Sequence, residues 1–402
     1  MLTINRNIVA SMEFKIAWES ENAAHFENYF ARKVNFWRDI LPPQVTESLS
    51  ELSSGEQGRL SIPLDAVKPY NQDNVLKLGR DRFERRLING RTVEPRIGRF
   101  YPKGLLKGLN GIFPGNIDPF RCIEVDQSSF TVDLNHPLAS RNLHLEVSIR
   151  NVRKKQFEIG GAMNDLLAVA TEGPGMQVRW RKTPTDFFSD TPFLRTDENP
   201  DKHFYEHPRL VTHLDSQALA HVSSLYGNLL KPGMRVLDLM SSWKSHLPES
   251  LKLSSVTGLG LNADEMMNNP QLSSHVVHDL NANPNLPFDN DSFDAVICTV
   301  SVEYMTRPLD VFLDCARVLK PCGICVTTFS NRWFPPKVTR IWTELSEFER
   351  MGLVMEYFLR SGAYGDIETH SFRGWPRPAS DRYYPQVQTS DPIFAVLGRK
   401  IR

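Results

Sequence analysis

The chain has 402 residues, of which 41% are hydrophobic and 23% are charged, the usual range for folded globular proteins. Lys and Arg together number 47, as do Asp and Glu, so no net positive charge favours binding to nucleic acid or to an anionic membrane. No stretch approaches the roughly 20 apolar residues of a spanning helix, and the N-terminal stretch lacks the apolar core of a secretory signal. The five cysteines are sparse. We therefore expect a reduced, cytoplasmic protein of two or three domains that binds neither membrane nor nucleic acid.

Residues 1–150 contain four stretches in which apolar and polar residues alternate, a pattern that predicts half-buried strands. These stretches are MEFKIAW, GRLSIPL, SSFTVDL and LHLEVSI. Residues 22–50 lie between the first two, and we expect them to be helical with a break at Pro42-Pro43. The segment is therefore predicted to be an α+β domain.

Residues 151–205 are predicted to form an ordered but irregular connector. Gly, Pro, Thr and Asp are too frequent there for long regular elements. The segment nevertheless carries more large apolar side chains than a free linker would: Met176, Trp180, Phe187, Phe188 and Phe193. We expect it to pack on one or both of its neighbours.

Residues 206–402 alternate between apolar strands and amphipathic helices, which predicts an α/β, doubly wound parallel sheet. The predicted strands are 234–240, 255–261, 275–279, 293–299 and 323–329. In such a sheet the ligand binds at the carboxyl ends of the strands, so the residues that follow each strand are the candidates for a site.

Two stretches of this segment, LPFDNDSFDAV at 286–296 and RVLKPCG at 317–323, closely match LPFxDxSFDAV and RVLKPGG. Both patterns are a signature of class I methyltransferases that depend on S-adenosylmethionine. From about Leu210 onward the chain resembles that family, in particular its type 11-like members with a DLMSSW loop. The resemblance implies a Rossmann-type domain, S-adenosylmethionine as cofactor, and a methyl acceptor that the sequence does not identify.

The loop after the first strand departs from the D-x-G-x-G-x-G pattern of that family. It begins at Asp238, and the three glycines are replaced by Met240, Ser242 and Lys244. Because these residues do not freely adopt positive φ, we expect the backbone of this loop to follow a different path.

The resemblance implies a set of cofactor-binding residues at the ends of the strands: Asp238, Ser241, Ser242, Trp243, Asn262, Asp279 and Ser301. At the end of the second strand, Gly260 stands where the family has an acidic residue, and Asn262, Asp264 or Glu265 are candidates to replace it. Asp279 matches the acidic position that faces the adenine, or caps a turn. Trp243 could stack on the adenine, plug the pocket or pack in the core. A plug would make the domain a pseudo-enzyme.

His213 and Asp215 precede the first strand and are candidates to remove a proton from a methyl acceptor. The alternative is a capped amphipathic helix with surface histidines. The choice depends on burial, which the sequence does not show.

The N-terminal segment resembles a second family, on the stretches ILPPQVTESLSELSSGEQGRLSIPLDAVKPYNQDNV at 40–75 and VDLNHPLASRNLHLEVSI at 132–149. Both are similar to the SlyD branch of the FKBP-type peptidyl-prolyl isomerases, in which a chaperone-like domain is inserted in the flap, here at about 76–130. The resemblance implies peptide-binding residues Tyr70 and Phe14, and an unfolded or proline-containing polypeptide as partner. The histidine-rich metal-binding tail of that branch has no counterpart, and we expect no metal site.

Three departures from the SlyD pattern concern catalysis: Asn71 and Ser140 replace glycines, and Leu145 replaces an aromatic residue. We therefore expect weak isomerase activity with retained binding of unfolded chains. Two functions compete for the whole chain. One is a methyltransferase fused to a peptide-binding module, and the other is a non-catalytic protein that acts as a chaperone or senses a metabolite.

Overall fold

The computed structural model describes residues 5–50, 59–64, 68–85, 87–88, 91–156 and 160–401. Its strands in the N-terminal part are β1 Ile8–Glu19, β2 Ala23–Asn35, β3 Arg59–Leu64, β4 Val75–Gly79, β5 Leu87–Ile88, β6 Arg91–Thr92, β7 Phe100–Pro102, β8 Pro119–Val125, β9 Ser129–Asp133 and β10 Leu143–Lys154. Those in the C-terminal part are β11 Arg235–Leu239, β12 Ser255–Gly260, β13 Ser274–Val277, β14 Phe293–Thr299, β15 Leu319–Phe329, β16 Tyr364–Arg373 and β17 Ile393–Lys400. The helices are α1 Pro43–Ser50, α2 Leu166–Thr171, α3 Asp201–Phe204, α4 Ser216–Leu229, α5 Ala263–Met267, α6 Pro308–Val318, α7 Arg340–Thr343 and α8 Glu347–Ser361.

The C-terminal part is a doubly wound sheet with the strand order β13-β12-β11-β14-β15-β17-β16. The first five of these strands pair in parallel, and β17 is antiparallel to both of its neighbours. All five predicted strands are confirmed. Side chains alternate between two cores, since Leu237 and Leu239 pack on one face of the sheet and Val236 on the other. The chain order reverses between β11 and β14, which opens a crevice at their carboxyl ends.

The same sheet continues into the N-terminal part. Strand β2 pairs in parallel with β16, and β1, β10 and β3 follow, so that the whole sheet has eleven strands. Buried polar side chains lie at this junction. Glu27 accepts hydrogen bonds from Ser371 and Gln177, and His25 bonds Thr369. Because an unpaired buried polar group is costly, this network favours one register between the two parts of the chain.

The prediction of a helix over residues 22–50 is wrong for its first half. Residues Ala23–Asn35 form strand β2, and the helix α1 covers only Pro43–Ser50. Strand β2 pairs with β1 on one side and with β16 on the other. This pairing on both edges, one of them with a strand distant in sequence, outweighs local propensity.

The insert within residues 76–130 belongs to a separate four-stranded sheet with the order β4-β9-β8-β7. Its core contains Phe83, Phe120 and Phe130. Residues 51–58 and 65–67, which belong to the first SlyD-like stretch, lie outside the described residues. No helix in the described part of the chain is both long and apolar enough to cross a membrane.

The connector packs on both neighbours, as its apolar content predicts. Leu166, Ala170 and Val178 join the core of the N-terminal sheet, and Phe187 joins the core of the C-terminal domain. The two parts are also joined by a buried ion pair, in which Arg99 Nε donates to Glu349 Oε1 at 2.7 Å. The connector is therefore part of the folded body.

Candidate functional site

A cavity of about 370 Å³ lies at the carboxyl ends of the parallel strands. Its walls come from residues 240–244 and 246 after β11, 260–262 and 265 at and after the end of β12, 278–281 after β13, 299–301 and 304 at and after the end of β14, and 331–334 after β15. A sixth wall comes from the connector and the residues before α4. The volume falls in the range of small-molecule sites, and the position is the one that the strand order favours.

Asp238 lies in β11 at the base of the cavity, and only 3% of it is exposed. Ser241 Oγ and Ser245 Oγ donate hydrogen bonds to its Oδ2 at 2.6 and 2.7 Å. Burial nevertheless raises the pKa of the Asp238 carboxyl to about 6, because water no longer solvates the charge. A cationic group placed against it would stabilise the ionised form.

The loop after β11 keeps a left-handed turn without glycine. Met240, at the first replaced glycine, has φ 56°, so the expectation that the loop avoids positive φ is wrong at this position. Ser140 and Cys322, which also stand where the two families have glycine, have φ 64° and 63°. Left-handed backbone in such residues costs roughly 1–2 kcal/mol. The surrounding packing must therefore stabilise these residues in a left-handed conformation that glycine would adopt without strain.

The same loop lies directly on the end of β12. Ser241 N–H donates to the carbonyl of Leu259 at 2.8 Å, and a Cβ added at Gly260 would lie 2.3 Å from Ser241 O. The backbone of this loop thus occupies the space that the Cβ atom of an acidic residue at position 260 would need. Gly260 is required by this close approach.

Glu265 supplies the carboxylate on this side of the cavity. Its Oε2 accepts a hydrogen bond from Ser242 Oγ at 2.6 Å, and its Oε1 accepts one from Arg209 N–H at 2.7 Å. Asn262 caps α5 by accepting from Glu265 N–H, and its amide donates to Tyr205 O at 2.8 Å. Asn262, Asp264 and Glu265 were the candidates from the sequence for this position, and the predicted cofactor-binding set kept only Asn262, although Glu265 is the carboxylate that lines the cavity. The N-x-x-E spacing of a capped helix was the signal for it.

Asp279 has the capping role that was one of the two interpretations from the sequence. Its Oδ1 accepts hydrogen bonds from the N–H groups of Asn281 and Ala282 at 3.0 and 3.2 Å, so it caps a turn. It also lines the cavity after β13. Ser301 lines the cavity after β14, where its hydroxyl donates to Thr299 O at 3.0 Å.

Trp243 lines the cavity and is half-buried. Its indole N–H donates to the carbonyl of Val211 at 3.1 Å, and the ammonium of Lys244 lies 4.4 Å from the ring centroid. It belongs to neither hydrophobic core of the C-terminal sheet. The core interpretation is therefore wrong, and the stacking platform and the plug remain.

The structure separates the two predicted catalytic residues. His213 lies at the mouth of the cavity, with its ring centroid 4.9 Å from that of Phe334. Partial burial lowers its pKa, as do the charges of Arg209 and Arg382, so the imidazole is neutral at pH 7.

Asp215 does not reach the cavity. It caps α4 by accepting from the N–H groups of Gln217 and Ala218, and Arg377 lies 3.5 Å from its carboxylate. Asp215 is only 2% exposed, and it caps a helix, which was the alternative interpretation from the sequence.

Tyr70 and Phe14, the predicted peptide-binding residues, also lie apart. Tyr70 lines a second cavity of about 90 Å³, between the N-terminal part and the connector. Phe14 has no exposed surface and packs in the core that includes Leu166 and Val178 of the connector. The connector therefore packs on the apolar face of the N-terminal sheet that contains Phe14, and Phe14 is not accessible.

The fold and the cavity together define a Rossmann-type domain with a ligand site at the carboxyl ends of its strands. Residues 246–327 of this domain match the family model described as a methyltransferase domain. The match includes β12 to β14 and most of β15, and so covers three of the cavity walls. The C-terminal part of the chain therefore resembles methyltransferases.

The N-terminal part is similar to the FKBP-type peptidyl-prolyl cis-trans isomerase SlyD of Treponema pallidum (strain Nichols). The two are 28% identical over 137 residues, which is 34% of this chain and 69% of the relative. This identity is low, and it gives weak support to an FKBP-like domain.

Solved structures with a similar C-terminal domain include a methyltransferase from Aquifex aeolicus that depends on S-adenosylmethionine (17% identity, 50% of this chain and 97% of that one, TM-score 0.31). Another such methyltransferase comes from Mesorhizobium loti (16%, 44% and 96%, TM-score 0.31). The [4+2]-cyclase SpnF is also similar (16%, 52% and 98%, TM-score 0.36). Because these identities and TM-scores are low, the similarities support no argument about function.

Proposed function

We propose that the C-terminal domain is a methyltransferase that binds S-adenosylmethionine in the cavity at the carboxyl ends of β11 to β14. The observation that carries the proposal is Asp238, a buried carboxyl that lines the cavity and forms no ion pair with any described residue. The cofactor carries an α-ammonium group, which supplies the missing positive charge. The domain match over residues 246–327 supports S-adenosylmethionine as that cofactor.

The residues that line the cavity fit the other parts of the cofactor. Glu265 and Asp279 offer carboxylate oxygens that accept hydrogen bonds from ribose hydroxyls and from the adenine amino group. Trp243 offers an aromatic face for the adenine. Glu265, which lies on α5 further along the chain, thus supplies the carboxylate that the family has at the position of Gly260.

When bound, S-adenosylmethionine supplies an electrophilic methyl group on its sulfonium. The chain itself must position the acceptor, exclude water and take up the acceptor's proton. His213 is suited to take the proton on a ring nitrogen, because its pKa is lowered by partial burial and by the neighbouring arginines. Phe334, Tyr205 and Tyr304 line the cavity around it and reduce access of water.

Calorimetric titration with S-adenosylhomocysteine tests the proposal. We expect the wild type to bind, and Asp279→Ala to bind about tenfold or more weakly, since a hydrogen bond to a charged group is worth roughly 1.5–3 kcal/mol. Asp264→Ala is the matched control, because Asp264 is exposed on α5 outside the cavity wall. A wild type that does not bind would contradict the proposal, and equal affinities for both variants would remove Asp279 from the site.

Trp243→Ala separates the platform from the plug. A stacking platform should lose roughly 1–3 kcal/mol of affinity for S-adenosylhomocysteine on substitution. A plug should instead gain affinity, because the cavity opens. Thermal melts of both proteins show whether the change is local, and an unchanged affinity would contradict both roles.

We propose polypeptide binding as a second function, carried by the insert. Phe113 and Ile117 are 61% and 77% exposed on the loop between β7 and β8. Such apolar surface favours contact with an unfolded chain. Suppression of the aggregation of reduced, unfolded lactalbumin is the test. We expect Phe113→Ser with Ile117→Ser to lose it, and suppression that is absent in the wild type would contradict this function.

A further inference from the structure

Two arginines lie against the ring of one tyrosine next to the cavity: Arg332 lines the cavity, whereas Arg382 and Tyr383 do not belong to its lining. Arg332 follows β15, and Arg382 belongs to the segment 374–392 between β16 and β17. Their guanidinium carbons lie 4.6 and 4.7 Å from the ring centroid of Tyr383. Arg332 also hydrogen-bonds Tyr383 and, together with the charge of Arg382, lowers the pKa of its phenol. The tyrosine thus holds two positive charges close together.

The charge of Arg382 helps to lower the pKa of Asp381, but neither arginine forms an ion pair with a described residue. Among the described residues, no carboxylate lies within 4.0 Å of Arg332 or Arg382. Their neighbour Arg377 is different, because it pairs with Asp391 at 2.5 Å and with Asp381 at 2.9 Å. These two ion pairs lie within the segment, and Arg377 ties the segment to the body of the domain through Asp215, whose carboxylate lies 3.5 Å away. Arg382 and Arg332 are left free to meet a ligand.

The surroundings of His213 carry a local positive field in a chain with no net charge. After the effect of partial burial, three guanidiniums lower the pKa of His213, those of Arg209, Arg382 and Arg332. The opposing charge at His213 is that of a single carboxylate, Glu265. A ligand that enters next to His213 therefore meets an excess of positive charge, which favours an anion.

The two arginines lie away from the part of the cavity proposed for the cofactor. Asp238, Glu265 and Asp279 belong to β11 or follow β12 and β13. Arg332 follows β15, on the other side of the crevice between β11 and β14. This half of the cavity is left for the molecule that receives the methyl group.

We infer that the methyl acceptor is a small molecule with an anionic group, a carboxylate or a phosphate, which Arg332 and Arg382 bind while its nucleophilic atom lies next to His213. The inference rests on the proposed function. Two adjacent guanidiniums match the paired oxygens of either anion. The molecule is small because it shares a cavity of about 370 Å³ with the cofactor.

The test compares three probes of one shape in calorimetric titrations, with and without saturating S-adenosylhomocysteine: benzoate, phenyl phosphate and benzamide. We expect the wild type to bind at least one of the two anions tenfold or more tightly than neutral benzamide. The preferred anion distinguishes a carboxylate from a phosphate. The double variant Arg332→Gln with Arg382→Gln should lose the preference.

Arg150→Gln is the matched control, because Arg150 is an exposed arginine on β10 of the N-terminal sheet and should keep the preference. Melting temperatures within a degree or two of wild type show that each variant is folded. Equal binding of all three probes by the wild type, or a preference that survives in the double variant, overturns the inference. Tight binding of a single-stranded oligonucleotide that the same double variant abolishes also overturns it, in favour of a nucleic-acid acceptor.

The outcomes for the cofactor and for the acceptor are separate. If S-adenosylhomocysteine binds and the probes show no anion preference, only the acceptor class is wrong. If S-adenosylhomocysteine does not bind while the preference depends on the two arginines, the anion site stands. The proposed methyltransferase function then fails, and with it the assignment of the anion as a methyl acceptor.

Discussion

Replacement of Asp238 by Asn should stabilise the folded protein at the expense of ligand binding. Burial raises the pKa of Asp238 from 3.8 to about 6, so the folded state binds the proton more tightly than the unfolded chain does. The stability that this proton contributes is complete below pH 3.8 and is lost as the pH rises through 6. The loss corresponds to about 3 kcal/mol at pH 8. An Asn side chain does not ionise, and its oxygen can still accept from Ser241 and Ser245.

Urea unfolding of the wild type and of Asp238→Asn at pH 8 and pH 5 measures this effect. We expect the variant to gain about 3 kcal/mol in the free energy of unfolding at pH 8 and about half as much at pH 5. Asp264→Asn, at an exposed position, should show neither change. Calorimetry should show that Asp238→Asn binds S-adenosylhomocysteine more weakly. The reasoning would be refuted by a gain that is equal at the two pH values, or by a loss at pH 8.

Three further predictions follow from the packing. Gly260→Ala should destabilise the protein by about 1–3 kcal/mol and abolish S-adenosylhomocysteine binding, because a Cβ would lie 2.3 Å from a backbone oxygen of the loop after β11. Gly365→Ala, whose Cβ would make ordinary contact at 3.6 Å, is the control for the melts and titrations, and equal effects would contradict the argument. Glu349→Gln should lower the free energy of unfolding by about 3–5 kcal/mol in urea, because it leaves Arg99 charged and unpaired; a loss below 1 kcal/mol would show that the pair is dispensable. Prolyl isomerase activity in a protease-free peptide assay should be weak or absent, because the connector covers the apolar face of the N-terminal sheet. A rate near that of an efficient FKBP would contradict this.

The sequence was sufficient for the C-terminal sheet because each of its strands is a short apolar run next to an amphipathic helix. Local periodicity records that arrangement directly. The positions of Asp238, Asp279 and Ser301 at the cavity follow from the same rule, since ligands collect at the carboxyl ends of parallel strands. The connector's packing was also predictable, because its large apolar side chains could not remain in water.

Other features depend on partners that are distant in the chain. Residues Ala23–Asn35 are a strand because β16, more than 300 residues later, supplies one edge of the pairing. Asp215 is held by its helix and by Arg377, and Phe14 is covered by the connector. The strand and the burial of Phe14 are set by non-local contacts that no local pattern encodes, whereas the cap at Asp215 was one of two alternatives from the sequence, which its burial decided.

The sequence by itself determined the class of the C-terminal fold, the edge of the sheet at which the cavity lies, and several of the residues that line it, among them Asp238, Trp243 and Asp279. Only the tertiary structure decided which carboxylates line the cavity, since Glu265 enters from α5 while Asp215 is turned into a cap. It also decided that the two parts of the chain share one sheet. The physical reason is that periodicity reports which side of an element is buried, whereas the partner that buries it is chosen by packing and hydrogen bonding across the whole chain.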